Sequence, residues 1–216
     1  TGPGSRQGLS WSWVAILGVI FLGTLVSAVL TTRVSAFDTR TGSLVVMTCN
    51  LQQANDEFGE RSYGRQLDLM RQVGADIIAL QESDSTRISL NNHDYVRYFA
   101  GKLGYYSYFG PATVSGTYGT AILSRFPLKN TRTLFSYSDQ DEVGTSVAEI
   151  DVGGRDFTIY NVHPDGSGRA KLAFAQALLS DSLKRQDVIA LGDDNLRNTE
   201  PAFQLIAEEY TSAWEI

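Results

Sequence analysis

Four apolar runs in this sequence each end on a polar side chain that can do chemistry. The run 44–49 leads into Asn50, 76–81 into Glu82, 156–162 into His163, and 187–192 into Asp193, with Asn195 two residues further on. A carboxylate is a hard oxygen donor of the kind Mg²⁺ takes, an amide donates and accepts hydrogen bonds, and an imidazole can carry a proton. Apolar strands that release such groups at one edge are a common way to build a rigid site. Singly, each residue has an ordinary reading. Asn after a strand serves as a turn residue, Glu there is solvated, and Gly192-Asp193 opens a loop in which Asp bonds its own backbone. The recurrence of the pattern is what points to a site.

The elements that must position these groups follow from hydrophobic periodicity. The run 44–49 reads as a buried strand. Tyr63, Leu67, Met70 and Val73 recur at helical spacing, with Gly74 at the helix stop. A second buried strand spans 76–81. Tyr95, Val96, Phe99 and Leu103 predict a helix closed by Gly104. Strands are expected at 105–109, 120–125, 131–137, 146–151 and 156–163, the last two joined as a hairpin by Val152-Gly153-Gly154. Leu172, Ala175, Leu178, Leu179 and Leu183 mark a helix, 187–192 a strand that delivers Asp193, 201–210 a helix, and 211–216 the start of another strand. No internal repeat or low-complexity linker interrupts the body, so it reads as one α/β domain over 43–216.

Ahead of it lies a different kind of segment. No charged residue occurs from Gln7 to Thr32, and the centre of that run, WSWVAILGVIFLGTLVSAVL, supplies the roughly 20 apolar residues that cross a bilayer. Trp11 and Trp13 sit at one end, where indoles favour the interface. Residues 1–36 are therefore expected to be a membrane span and its linker. The rival reading is a cleaved signal segment, with Val34-Ser35-Ala36 as the small-residue cleavage site. One arginine on each flank gives no bias from which to read orientation.

Charge and cysteine content narrow the function classes. The 216 residues carry a net charge of −6, and Arg6 and Arg33 are the only charges in the first 33, which leaves the remainder at −8. A body this acidic is a poor match for a protein that tracks a phosphate backbone, so nucleic acid is not favoured as a partner. The single cysteine, Cys49, excludes intrachain disulfides and thiolate zinc clusters.

Asn50, Gln81-Glu82, Leu123-Ser124-Arg125-Phe126-Pro127, Asn161-Val162-His163 and Gly192-Asp193-Asp194-Asn195 resemble, in order, the motifs of the endonuclease/exonuclease/phosphatase superfamily. Within it, Asn50-Leu51-Gln52-Gln53, the stretch from Gln81 to Ser89, Val96-Arg97-Tyr98-Phe99-Ala100 and Tyr106-Ser107-Tyr108-Phe109-Gly110-Pro111 are similar to one branch. That branch is the carboxy-terminal domain of the calcofluor-white-hypersensitive type of GPI-anchor lipid-remodelling membrane proteins. The resemblance implies a four-layer α-β-β-α sandwich, here preceded by one transmembrane helix, and a Mg²⁺- or Mn²⁺-dependent phosphodiesterase chemistry on inositol-phosphate lipid or a GPI-linked substrate. It also implies residence at the bilayer of the endoplasmic reticulum, with the domain in the lumen.

Glu82 is the candidate metal ligand, with Asn50 completing or orienting its shell. By resemblance, Asp193 orients or deprotonates the attacking water, Asn195 donates to a phosphate oxygen, and His163 sits beside the phosphate as a donor. Arg87 and Arg97 fall in the branch-specific block and are candidates for head-group contact, with surface salt bridging as the alternative. His93 reads as a loop residue before a helix. Two departures from the superfamily pattern stand out. Asp194 occupies a position usually held by an aromatic, and the terminal Ser-Asp-His motif does not follow, so the sandwich is expected to lack its C-terminal strands and this polypeptide alone to be inactive. A nuclease of the same superfamily and a non-catalytic remnant binding a membrane-protein partner are the alternative functions.

Overall fold

The architecture is described from a computed structural model, which covers residues 10–31, 42–84, 93–114, 116–138 and 141–213. The chain divides into two units, 1–34 and 35–216.

In the amino-terminal unit, helix α1 (Trp11–Thr31) is apolar on every side. Within it, Trp11–Leu30 has a mean hydropathy of 2.5, with none of that stretch buried. Twenty residues at 1.5 Å rise give about 30 Å, the thickness of a bilayer's hydrocarbon core. It is the one helix among the described residues long and apolar enough to cross a membrane.

The second unit is a mixed α/β sandwich of two four-stranded sheets. Its elements are β1 (Val46–Asn50), α2 (Tyr63–Val73), β2 (Ile77–Asp84), α3 (Tyr95–Leu103), β3 (Tyr106–Pro111), β4 (Tyr118–Ser124), β5 (Lys129–Ser138), β6 (Asp141–Val152), β7 (Arg155–Val162), α4 (Gly168–Ser182), β8 (Val188–Gly192) and α5 (Pro201–Ala207). One sheet has the order β1-β2-β4-β3 and the other β5-β6-β7-β8. β1 runs parallel to β2 and β7 parallel to β8, whereas the remaining pairs are antiparallel. The C-terminal ends of β1, β2, β7 and β8 consequently emerge at one end of the sandwich.

Three apolar clusters hold the layers together. Ile78, Leu80, Ala121 and Leu123 of the first sheet pack on Leu67 and Met70 of α2 and on Val96 and Phe99 of α3. Val147, Tyr160 and Val162 of the second sheet pack on Phe174, Ala175 and Leu178 of α4 and on Ala202 of α5. Between the sheets, Ile77 and Ile122 meet Ala148, Ile150 and Ile159. Helices therefore cover both outer faces, and alternate residues of each strand point to different layers.

Local chemistry sets the helix ends. Gly74 and Gly104 close α2 and α3 in the left-handed conformation, their N–H groups donating to the carbonyls of Met70 and Ala100. Asp94 caps α3 by accepting from the N–H of Arg97, and Ser167 caps α4 by accepting from that of Ala170. The four polar-tipped strands and the helices lie where the periodicity predicts, with boundary shifts of a few residues. One difference concerns β2, which continues past Glu82 to Asp84. β6 begins earlier than expected, at Asp141, because Gly144 lets it pass close to β3: a Cβ there would meet the Pro111 carbonyl oxygen at 2.1 Å. Residues 211–213 are not in a strand, and 214–216 lie outside the described residues. β1 and β8, the edges of their sheets, border an open, mainly apolar groove of about 560 Å³ closed on its far side by Phe203, Ile206 and Tyr210.

Candidate active site

Two backbone irregularities aim the side chains at the strand tips. The pairing of β2 with β4 shifts register between Leu80 and Ser83, and inside that bulge Glu82 has φ +47°. A bulge re-aims a side chain near the end of a strand. After β1 the chain turns through three successive left-handed residues, Gln52, Gln53 and Ala54, with φ of 47°, 55° and 62°. Among the described residues six non-glycine positions have positive φ. Five of them, these four and Asn195, lie at or beside three of the four polar tips, Asn50, Glu82 and Asp193. Such conformations cost energy and persist where the surroundings hold them, which is characteristic of functional sites.

The left-handed turn decides which way the Asn50 amide points. The N–H of Gln52 donates to Asn50 Oδ1 at 2.9 Å. Asn50 therefore presents Nδ2, which donates to Glu82 Oε1 at 2.9 Å and to Asp193 Oδ2 at 3.0 Å. A single amide thus links a carboxylate of the first sheet to a carboxylate of the second. His163 joins them from the tip of β7, its side chain only 10% exposed. Its Nε2 lies 4.0 Å from Glu82 Oε1 and 3.9 Å from Asp193 Oδ2, beyond direct hydrogen bonding.

Directly beneath this cluster the two sheets are joined by polar groups. Gln81 and Asn161 are fully buried, and Gln81 Nε2 donates to Asn161 Oδ1 at 2.7 Å. Asn161 Nδ2 donates to the carbonyls of Leu80 and Ala121, both at 2.8 Å, and Thr48 Oγ1 donates to Gln81 Oε1 at 3.2 Å. Every partner is satisfied, which buried amides require. Beside them the Ser146 hydroxyl donates to the Thr120 carbonyl at 3.1 Å, and Ser83 Oγ donates to that of Gly119 at 3.0 Å. Gln81 immediately precedes Glu82, and Asn161 stands two residues before His163, so this clamp fixes the spacing of the site across the sandwich. In the sequence both residues stand within the motifs, but nothing there indicates a role for either. The available signal was a polar side chain inside each of two otherwise apolar buried strands.

The other expected site residues are placed differently. Asn195 is exposed, and its backbone carbonyl accepts from Lys171 Nζ at 2.7 Å, which ties the loop after β8 to α4. Asp194 is exposed as well, and its Oδ1 accepts from the N–H of Leu196 at 3.2 Å. That local bond occupies the acid of Asp194 outside the Asn50–Glu82–Asp193 hydrogen bonds. Arg97 is exposed on α3, and no hydrogen bond or ion pair joins its side chain to the cluster among the described residues. Arg87 lies outside the described residues. His93 is exposed just before α3 and stacks on Tyr95 at 5.8 Å.

The donor set decides how a divalent ion would be held. Among the described residues no group of three or more His, Cys, Asp or Glu is placed to hold a metal, so no closed protein cage is present. Glu82 and Asp193 nevertheless stand together with a neutral amide as their shared hydrogen-bond donor, and no lysine or arginine pairs with either among the described residues. Two such carboxylates leave negative charge for a cation to balance. One or two carboxylates, with water and substrate oxygens completing the octahedron, is the manner in which Mg²⁺ binds. Glu82 suits it. Asn50, whose oxygen is already engaged by Gln52, suits the task of orienting Glu82.

This fold is that of the endonuclease/exonuclease/phosphatase superfamily. The structure of an endonuclease/exonuclease/phosphatase from Beutenbergia cavernae superposes with a TM-score of 0.63 at 20% identity, covering 76% of this chain and 53% of that one. The human Nocturnin catalytic domain, solved with a bound sulfate anion, gives 0.60 at 22% identity over 80% of this chain and 72% of that one. Within the superfamily, the chain belongs to the family of the PGAP2IP C-terminal nuclease-like domain, whose model matches residues 42–186. A curated relative, protein cwh43 of Schizosaccharomyces pombe, is 34% identical over 100 residues. That match covers 46% of this chain and spans about a tenth of the relative's length, 10%. The second unit is thus a nuclease-like domain by family, with the fold of the endonuclease/exonuclease/phosphatase superfamily.

Proposed function

We propose that residues 43–216 form part of a divalent-metal-dependent phosphodiester hydrolase or transferase domain, tethered to a bilayer by the Trp11–Leu30 helix. In this reading it acts on inositol-phosphate lipid, or a GPI-linked substrate, in GPI-anchor lipid remodelling at the endoplasmic reticulum membrane, with the domain on the lumenal side. The observation that carries the chemical part is the Asn50 amide holding Glu82 and Asp193 together with His163 alongside. The likeness to cwh43, the apolar helix and the acidic body support the lipid part.

Phosphodiester cleavage requires neutralised phosphate charge, an aligned nucleophile and help for the leaving oxygen. Mg²⁺ or Mn²⁺, when bound by Glu82, would supply the first of these. Asn50 fixes the direction of the Glu82 carboxylate. Asp193 aligns or deprotonates the attacking water. In this reading His163 and Asn195 donate hydrogen bonds to phosphate oxygens. Arg87 and Arg97 contact the head group in the same proposal.

A second reading, a non-catalytic domain that binds a membrane-protein partner, draws on the lack of a three-ligand group among the described residues. Calorimetric titration of the full chain in detergent with Mn²⁺ separates the two. The catalytic reading expects one saturable site that Glu82→Gln abolishes and Arg97→Ala leaves intact. No binding by the unsubstituted chain would favour the second reading.

A further inference from the structure

The folded unit exposes its largest apolar side chains unevenly. Among its described residues the three most exposed are Phe58 at 80%, Val114 at 67% and Tyr137 at 63%. All three lie at the end of the sandwich that carries the Asn50–Glu82–Asp193 cluster. Phe58 is in the loop that leaves Asn50. Val114 is in the turn between β3 and β4, whose flanking residue Tyr118 pairs with Asp84 of β2. Tyr137 pairs with Glu142, on the stretch of β6 that runs past the Ser146–Asn161 pair toward His163. Leu183, also well exposed, ends α4 at the opposite end of the sandwich.

Scattered exposed apolar residues are ordinary; three on separate segments around one site are not. Hydrogen bonds fasten the backbone of two of these tips. Asp56 Oδ1 accepts from the N–H groups of Phe58 and Glu60 at 3.0 and 2.9 Å, the Asp56 N–H donates to the Glu60 carbonyl at 2.8 Å, and Arg65 pairs with the same Asp56. This tight loop fixes Phe58 in solvent. Val114 is fastened by its N–H donating to Glu142 Oε1 at 3.3 Å. Close by, Tyr63 packs edge-on against Tyr98 at 5.4 Å, and Arg61 lies over the ring of Tyr95 at 5.8 Å, the aromatic and basic mixture that favours a bilayer's interfacial region.

We infer that the site end of the domain is a lipid-docking surface, on which Phe58, Val114 and Tyr137 insert into the interfacial layer of a zwitterionic bilayer and turn the Glu82–Asp193 cluster toward lipid head groups. The occupant is a bilayer because this chain carries its own helix of membrane-crossing length and apolarity. The segment from Thr31 to Val46, at most about 50 Å when extended, keeps a bilayer within reach at high effective concentration. Glu57, Glu60 and Glu142 beside the tips offset Arg61 and Arg65, so no net basic charge draws this surface to anionic lipid. The inference rests on the membrane reading given above, and its readout requires neither metal nor turnover.

The test places an environment-sensitive fluorophore on single cysteines, Phe58→Cys, Val114→Cys, Tyr137→Cys and, as the far-end control, Leu183→Cys, each in a Cys49→Ser background. The full chain is reconstituted into phosphatidylcholine vesicles with brominated acyl chains. The expected result is loss of fluorescence at 58, 114 and 137 but not at 183, unchanged by salt or by added phosphatidylserine. A thermal transition like that of the parent confirms folding of each variant. Equal quenching at all four positions, or none at 58, 114 and 137, overturns the inference. Quenching without Mn²⁺ binding would leave the docking surface standing and remove the catalytic reading.

Discussion

Replacing Asn161 by alanine removes the centre of the clamp that joins the two sheets beneath the site. Gln81 Nε2 and the carbonyls of Leu80 and Ala121 each lose a partner at 2.7 or 2.8 Å, in a region with no exposure. A buried polar group left without a partner costs about 1–3 kcal/mol. Taking the lower part of that range for three groups gives a destabilisation of about 3–5 kcal/mol. For a domain of this size each kcal/mol lowers Tm by about 2–4 °C, so the expected drop is on the order of 10 °C. The assay is thermal unfolding of the full chain in detergent, with Gln186→Ala, on an exposed turn, as the control expected within about 0.5 kcal/mol of wild type. A double-mutant cycle with Gln81→Leu should show coupling above about 0.5 kcal/mol, since contacting residues are not additive. If Asn161→Ala unfolds within a degree or two of Gln186→Ala, the clamp carries no such energy and the reasoning from buried polar satisfaction fails.

Three further outcomes follow from particular contacts. A Cβ on Gly192 would meet the Val162 carbonyl oxygen at 2.0 Å, so Gly192→Ala should cost about 2 kcal/mol or more and weaken Mn²⁺ binding by displacing His163 and Asp193 together, measured by unfolding and calorimetry. Burial pushes the Asp181 carboxyl up, but the Tyr160 hydroxyl and the Arg132 guanidinium outweigh it and hold the group below the ordinary carboxylate range. Its contribution is therefore complete above the unfolded value of about 3.9 and is lost as pH falls through the lower folded value; Asp181→Asn should flatten stability against pH in that acid range. Arg97→Ala, on an exposed helix face, should change Mn²⁺ affinity less than about twofold by calorimetry, since among the described residues no hydrogen bond or ion pair joins its side chain to the cluster.

Most of the framework is legible in the sequence because its signals are local. Apolar runs mark β1, β2, β7 and β8, and Gly74 and Gly104 stop helices because each adopts a left-handed conformation that costs glycine least. The polar residue after each of those four runs marks a strand tip, and in space Asn50, Glu82, His163 and Asp193 converge. What was not legible depends on pairing across the sandwich. Glu82 lies within a bulged strand rather than beyond its end, and nothing in its residue type announces φ +47°. Gln81 and Asn161 are 80 residues apart, and their hydrogen bond exists only once two sheets face one another. The early start of β6 required Gly144 to approach Pro111, a contact between sheets that periodicity does not encode.

The central claim is that Glu82, oriented by Asn50, lets a divalent cation meet a phosphate beside His163 and Asp193. It is tested most directly by titrating the full chain in detergent with myo-inositol 1-phosphate, with Mg²⁺ and with Mg²⁺ chelated, for wild type and Glu82→Gln. The account predicts binding by wild type with Mg²⁺ alone, and none by Glu82→Gln under either condition. Binding of equal strength without Mg²⁺, or undiminished by Glu82→Gln, would contradict it.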